Sequence, residues 1–117
     1  MEARGRGSEE ALRLLGLARR AGSVAPGTDA ARRAAREGEA RLILMAGDAS
    51  GVQLDKIRNA VKNRPIPWAT LGDRATLGAA MGLGPISAVA VTADSFAEAL
   101  SRKLGLGEAG TPGISEE

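Results

Sequence analysis

Apolar positions recur along this chain with two periods, and its elements show where one period gives way to the other. Over residues 8–21, Ala11, Leu14, Leu15, Ala18 and Ala21 follow i, i+3, i+4, i+7 spacing, the apolar face of an α-helix. Ser8 is placed as its N-cap, Glu9 and Glu10 suit the positive end of its dipole, and Gly22 closes it. Residues 23–26 leave room for at most a very short strand. A second helix comes next, entered through Gly27 and ended by Gly38, with Thr28 or Asp29 able to accept from the free amides of its first turn. Ala31, Ala34 and Ala35 share a small, close-packing face of it. Arg32 and Arg36, with Arg33 beside them, share another.

Residues 42–46 form an unbroken apolar run of buried-strand length. In the loop at 47–51, Asp48 or Ser50 can cap the next helix, which Leu54, Ile57 and Val61 mark as running to about Asn63. Residues 66–71 read as a strand whose prolines place it near a sheet edge or at a strand start, with Trp68 expected in the core. Asp73 caps a short helix containing Leu77, Ala80 and Met81. A tight loop at 82–85 then brings Ile86 to an exposed apolar tip. Residues 88–92 are a further buried strand, and Asp94 caps a last helix with Phe96, Ala97, Leu100 and Leu104 inward. Strands alternating with helices predict an α/β fold: a three-layer α/β/α sandwich around a small mixed sheet of about four strands. The expected organisation is a disordered N-terminus at 1–7, one domain at 8–104 and a flexible tail at 105–117.

The charge is unevenly spread. Net charge is +2 over 117 residues, but residues 1–64 carry 13 Lys/Arg against 8 Asp/Glu, and residues 65–117 carry 3 against 6. Such asymmetry points to one basic surface facing an anionic partner. Three arginines on a helix whose first turn also offers amides and the positive dipole end form a polyanion site.

The side-chain inventory narrows the chemistry. With no His and no Cys, most metal sites, imidazole triads and thiol chemistry are excluded, and no cofactor is expected. Gly105-x-Gly107-x-x-Gly110 spells a dinucleotide fingerprint but follows a helix and opens none, so its context fails. Asp48 with Asp55, and Asp73 with Asp94, read as caps or surface charges before they read as catalytic pairs. The chain is not expected to be an enzyme. No apolar run reaches membrane-spanning length, so no membrane association and a cytoplasmic location are expected. Two aromatics, Trp68 and Phe96, cannot build a base-stacking platform, so any nucleic acid would be held through phosphates and guanine edges.

Several stretches in one order resemble a known family: LLGLARRAG at 14–22, Gly27 opening a helix that carries Arg33, LILMAGDAS at 42–50, IPWATLG at 66–72, LGAAMG at 77–82 and AVAVT at 88–92. The chain resembles the kink-turn-binding ribosomal protein superfamily of the L-seven-Ae type, and within it the bacterial YlxQ-type RNA-binding proteins. The resemblance spans about residues 10–104. It implies RNA binding without catalysis, by a protein of ribosome or RNA-metabolism context; a monomer is expected when free. The implied partner is structured RNA, with ribosomal RNA among the candidates. By position, Gly27, Thr28, Asp29, Arg32 and Arg33 would meet the G·A pairs and phosphates, and Leu83, Gly84, Pro85, Ile86 and Ser87 would cover a flipped-out nucleotide. Where that family favours Asn then Glu, this chain has Asp29 then Ala30, and Arg33 stands for its Lys. An Asp carboxylate accepts but cannot donate, whereas Arg adds a planar fork suited to guanine O6 and N7. The alternative is a protein-interaction adaptor on the same fold, using Leu83, Ile86 and the helix after Gly51.

Overall fold

The computed structural model describes the backbone of residues 2–106 and the side chains of residues 7–106. The elements in order are α1 (Glu2–Arg20), β1 (Val24–Pro26), α2 (Thr28–Arg36), β2 (Leu42–Met45), α3 (Gly51–Val61), β3 (Trp68–Thr70), α4 (Arg74–Ala80), β4 (Ala88–Val91) and α5 (Asp94–Lys103). The two unbroken apolar runs become the inner strands of a four-stranded sheet ordered β1-β4-β2-β3. Strand alternation then assigns each residue to a layer. Leu42, Leu44, Val89 and Val91 pack with Ala11, Leu15, Leu77, Ala97 and Leu100 of α1, α4 and α5. Ile43, Met45, Ala88 and Ala90 pack with Ala31, Ala34, Ala35, Ile57 and Ala60 of α2 and α3. The fold is therefore a three-layer α/β/α sandwich with a mixed sheet, as the alternation predicts. The second layer is built largely of alanine, which lets α2 lie close against β4.

The structure corrects several local expectations. Helix α1 begins at Glu2, so Ser8 lies inside it rather than at its N-cap, and the backbone of residues 2–7 is helical. Gly7 is why this turn can lie against α5: a Cβ there would stand 2.6 Å from the Lys103 carbonyl oxygen. Trp68 is 37% exposed rather than buried, because β3 is an edge strand. The prolines were the sounder signal, since Pro65 and Pro67 precede that strand. Asp94 is not the cap of α5. Ala93 takes that place, and Asp94 instead pairs with Arg41 at 3.1 Å. Of the tail expected from residue 105, Gly105 and Leu106 belong to the fold. The Leu106 amide donates back to the Ser101 carbonyl at 2.9 Å, and Leu106 packs on the core. Residues 107–117 lie outside the described residues.

Candidate nucleic-acid interface

Strand direction decides which loops meet. β1 and β2 run antiparallel to β4, and β3 runs parallel to β2. The C-terminal ends of β1, β2 and β3 and the start of β4 therefore share one end of the sheet. The starts of α2, α3 and α4 follow those strand ends directly, so three helix N-termini gather there beside the loop at 82–87. A bond fixes the two sequence-predicted surfaces together: the Gly27 amide donates to the Ala88 carbonyl at 2.8 Å. The two candidate groups, 27–36 and 83–87, are thus neighbours in space although about 50 residues apart in sequence.

The three helix starts differ in how their first-turn amides are met. In α3, Ser50 Oγ accepts from the Gln53 amide at 3.3 Å. In α4, Asp73 accepts from the Thr76 amide at 2.8 Å, and Asp48, from the neighbouring loop, accepts from the Arg74 amide at 2.8 Å. Asp48 therefore caps the helix 26 positions away, not the one directly after it. Helix α2 has no such partner. Its N-cap is Gly27, at φ 99°, a left-handed backbone angle that an L side chain rarely adopts. Thr28 and Asp29 are not caps but the first two helical residues, and among the described residues no side chain accepts from this turn. The turn keeps open amides and its share of positive dipole.

The arginines of α2 sort themselves by partner. Arg32 reaches back one turn to Asp29 at 3.4 Å and is the most covered of the three. Arg33 and Arg36 are exposed, and among the described residues neither forms an ion pair. Together with Asp29 and Glu37 these side chains line a shallow polar depression that runs along α2 from its first turn to its C-cap. Asp29 is 79% exposed, so the carboxylate stands in solvent at the edge of the basic patch.

The second loop is shaped by backbone rather than by side chains. Gly82 turns the chain at φ 72°, and the Leu83 amide returns to the Gly78 carbonyl at 2.9 Å. The Ile86 amide then donates to the Arg74 carbonyl at 3.2 Å, so the loop folds back across α4. Leu83 and Ile86 are half-buried against the core, and Gly84 and Pro85 are the exposed apex. Ile86 is therefore not the exposed tip that its sequence position implies.

The four aspartates weighed above as candidate pairs are each engaged elsewhere. Asp48 and Asp73 are caps, Asp55 pairs with Arg58 at 3.4 Å, and Asp94 pairs with Arg41. The Asp73 carboxyl lies below the usual carboxylate range, because the Thr76 backbone amide, and after it the Thr76 hydroxyl, bind its ionised form. A group with a depressed folded pKa adds stability above its unfolded value, near 3.8, and loses it as pH falls through the lower folded value. Asn caps equally well without titrating. Between about pH 5 and pH 2 the thermal midpoint of Asp73→Asn is therefore expected to fall less than that of the wild type. Equal falls would show that the cap does not respond to acid.

These observations define a class of protein: a three-layer α/β/α domain with an uncapped helix start, arginines further along that helix, and a folded-back loop at one end of its sheet. A model of the ribosomal protein L7Ae/L30e/S12e/Gadd45 family matches residues 9–101, and the chain belongs to that family. It is 36% identical over 87 residues to the RNA-binding protein YlxQ of Bacillus subtilis, a match covering 74% of this chain and 87% of that one. A Bacillus halodurans protein of unknown function has the same fold, with a TM-score of 0.76 at 27% identity over 81% of this chain and 96% of its own. The 15.5 kD RNA-binding protein of Giardia lamblia aligns with a TM-score of 0.73 over 90% of each chain, at 21% identity, a likeness of fold.

Proposed function

We propose that the protein binds structured RNA, through the start of α2 and the adjoining loop at 83–87, without catalysing a reaction. One observation carries the reading. Of three helix starts gathered at one end of the sheet, α2 alone has no side-chain acceptor among the described residues, and it also bears two unpaired arginines. Open amides, a positive dipole end and planar guanidiniums suit phosphates and guanine edges. The similarity to an RNA-binding relative supports it.

Within that reading each residue has a task. The amides of Thr28 and Asp29 would meet a phosphate, Arg33 and Arg36 would reach base edges or backbone, and Gly84 and Pro85 would lie against an extruded base, with Ser87 at the rim. Arg32 is occupied in part by Asp29, and Ala30 offers no polar group. Recognition of a kink-turn would then lean on Arg33 more than on a donor at position 29. The adaptor alternative uses Leu83, Ile86 and α3; packing against the core leaves little of Leu83 and Ile86 to offer a protein partner, whereas Val52 of α3 is 63% exposed.

The test is a titration at physiological salt against two RNAs of equal length, one with a kink-turn and one with its tandem G·A pairs replaced by Watson–Crick pairs. Tight binding to the first alone is the result expected of an intact guanine-reading site. Equal, steeply salt-dependent binding to both would leave a basic RNA surface without kink-turn preference. Binding to neither would overturn the proposal.

A further inference from the structure

We propose a second RNA contact, resting on the reading above: the groove between α1 and α4 takes the phosphate backbone of the RNA strand that leaves the loop at 83–87. The groove is about 740 Å³ and is walled on one side by Arg13, Gly16, Leu17, Arg19 and Arg20 of α1, and on the other by the end of α4 and Gly82. Among the described residues no acidic side chain lines it. Among the described residues none of the three arginines forms an ion pair, whereas Arg32, Arg41, Arg58, Arg74 and Lys103 all do.

Helix geometry places the charges. Arg13 and Arg20 are seven residues apart and so lie on one face, about 10 Å apart along the axis. That span is long enough to meet more than one phosphate of a single strand. Arg19 and Arg20 also suit the negative end of the α1 dipole, but Arg13, two turns upstream, gains nothing from it. Gly16 makes the floor, because α4 comes so near that a Cβ there would stand 2.8 Å from the Ala80 carbonyl oxygen.

Continuity supplies the direction. Gly82 both lines the groove and opens the loop at 83–87, so a strand passing the loop apex runs straight onto the arginine row. Contacts of this kind fix register and carry no sequence information. Leu17, 51% exposed between Arg13 and Arg20, sits under the strand and contributes no charge.

The test compares wild type with Arg13→Ala/Arg19→Ala/Arg20→Ala for the kink-turn RNA and its Watson–Crick control, across a salt series. The variant is expected to keep its thermal midpoint and to lose affinity for each RNA that the wild type binds, by the same factor where it binds both. Its slope of log affinity against log salt should become shallower by about two to three, roughly one for each phosphate contact. The triple Arg→Lys variant should restore most of that slope, because a point charge suffices for phosphate. An unchanged slope in the alanine variant, with wild type still binding RNA, would overturn the groove and leave the α2 surface standing. Where the wild type binds both, loss confined to the kink-turn RNA would also overturn it. If wild type binds neither RNA, the RNA reading itself fails and takes this contact with it.

Discussion

Arg33→Ala is expected to lower affinity for structured RNA about 5- to 150-fold while leaving the domain folded, the range set by about 1–3 kcal/mol at a base-edge contact. The stability half of this expectation comes from the packing of α2. Its buried face is Ala31, Ala34 and Ala35, and Arg33 is exposed and ion-paired to nothing among the described residues. Alanine is also the better helix former, which offsets what the helix end loses in dipole interaction. The thermal midpoint should stay within about 4 °C of wild type.

The RNA half has a converse. Asp29 stands at the rim of the same patch, draws Arg32 to itself at 3.4 Å, and repels a phosphate. Asp29→Asn releases Arg32, removes the repulsion and adds an amide donor. It should strengthen binding where Arg33→Ala weakens it. Arg32→Ala is the less informative variant, since it removes a cation and unmasks a carboxylate together. If Arg33→Ala binds RNA as tightly as wild type, α2 is not the reading surface. If the variant unfolds, α2 does not pack through its alanine face alone.

What the sequence revealed of this site, and what it hid, has one physical origin. Signals carried by short-range periodicity were legible. The runs at 42–45 and 88–91 are apolar on both faces because both are inner strands, and the alanine stripe of α2 could be read directly as a packing face. Signals that depend on which segments meet were not. A strand pattern does not say which strand is at the edge, so Trp68 was expected inside. A Ser followed by two Glu fits an N-cap, but nothing local announces that Gly7 lets α1 continue toward its start against the end of α5. Asp48 fits a cap for the next helix and serves one 26 residues on, because β2 and β3 run parallel and end side by side. The arginine-bearing α2 and the loop at 83–87 are each candidates that the sequence puts forward on its own. Their adjacency rests on the antiparallel pairing of β1 with β4, which no local pattern encodes.

Gly78→Ala is expected to destabilise the domain by about 1–3 kcal/mol, the usual range for overpacking, and to weaken RNA binding through the loop alone. The sign runs against propensity, since replacing an interior helical glycine by alanine normally gains about 1 kcal/mol. Here the added Cβ would collide with the carbonyl of Gly84, a backbone group that no rotamer change can move aside. The Leu83 amide is bonded to the Gly78 carbonyl, so loop and helix cannot separate without losing that bond as well. Relief must come from shifting the loop at 83–87, and with it the apex formed by Gly84 and Pro85. That apex is apolar, so affinity should fall with no change in salt slope, the opposite signature to losing the arginines of α1. Gly51→Ala is the matched control: it sits in the first turn of α3, an added Cβ meets nothing within 4 Å, and its stability should hold or rise. Thermal midpoints and salt-dependent titrations of the two variants decide the matter. A Gly78→Ala protein that melts and binds like Gly51→Ala would mean that the loop is not held against α4, and that its closeness to the α2 start is not what shapes the RNA surface.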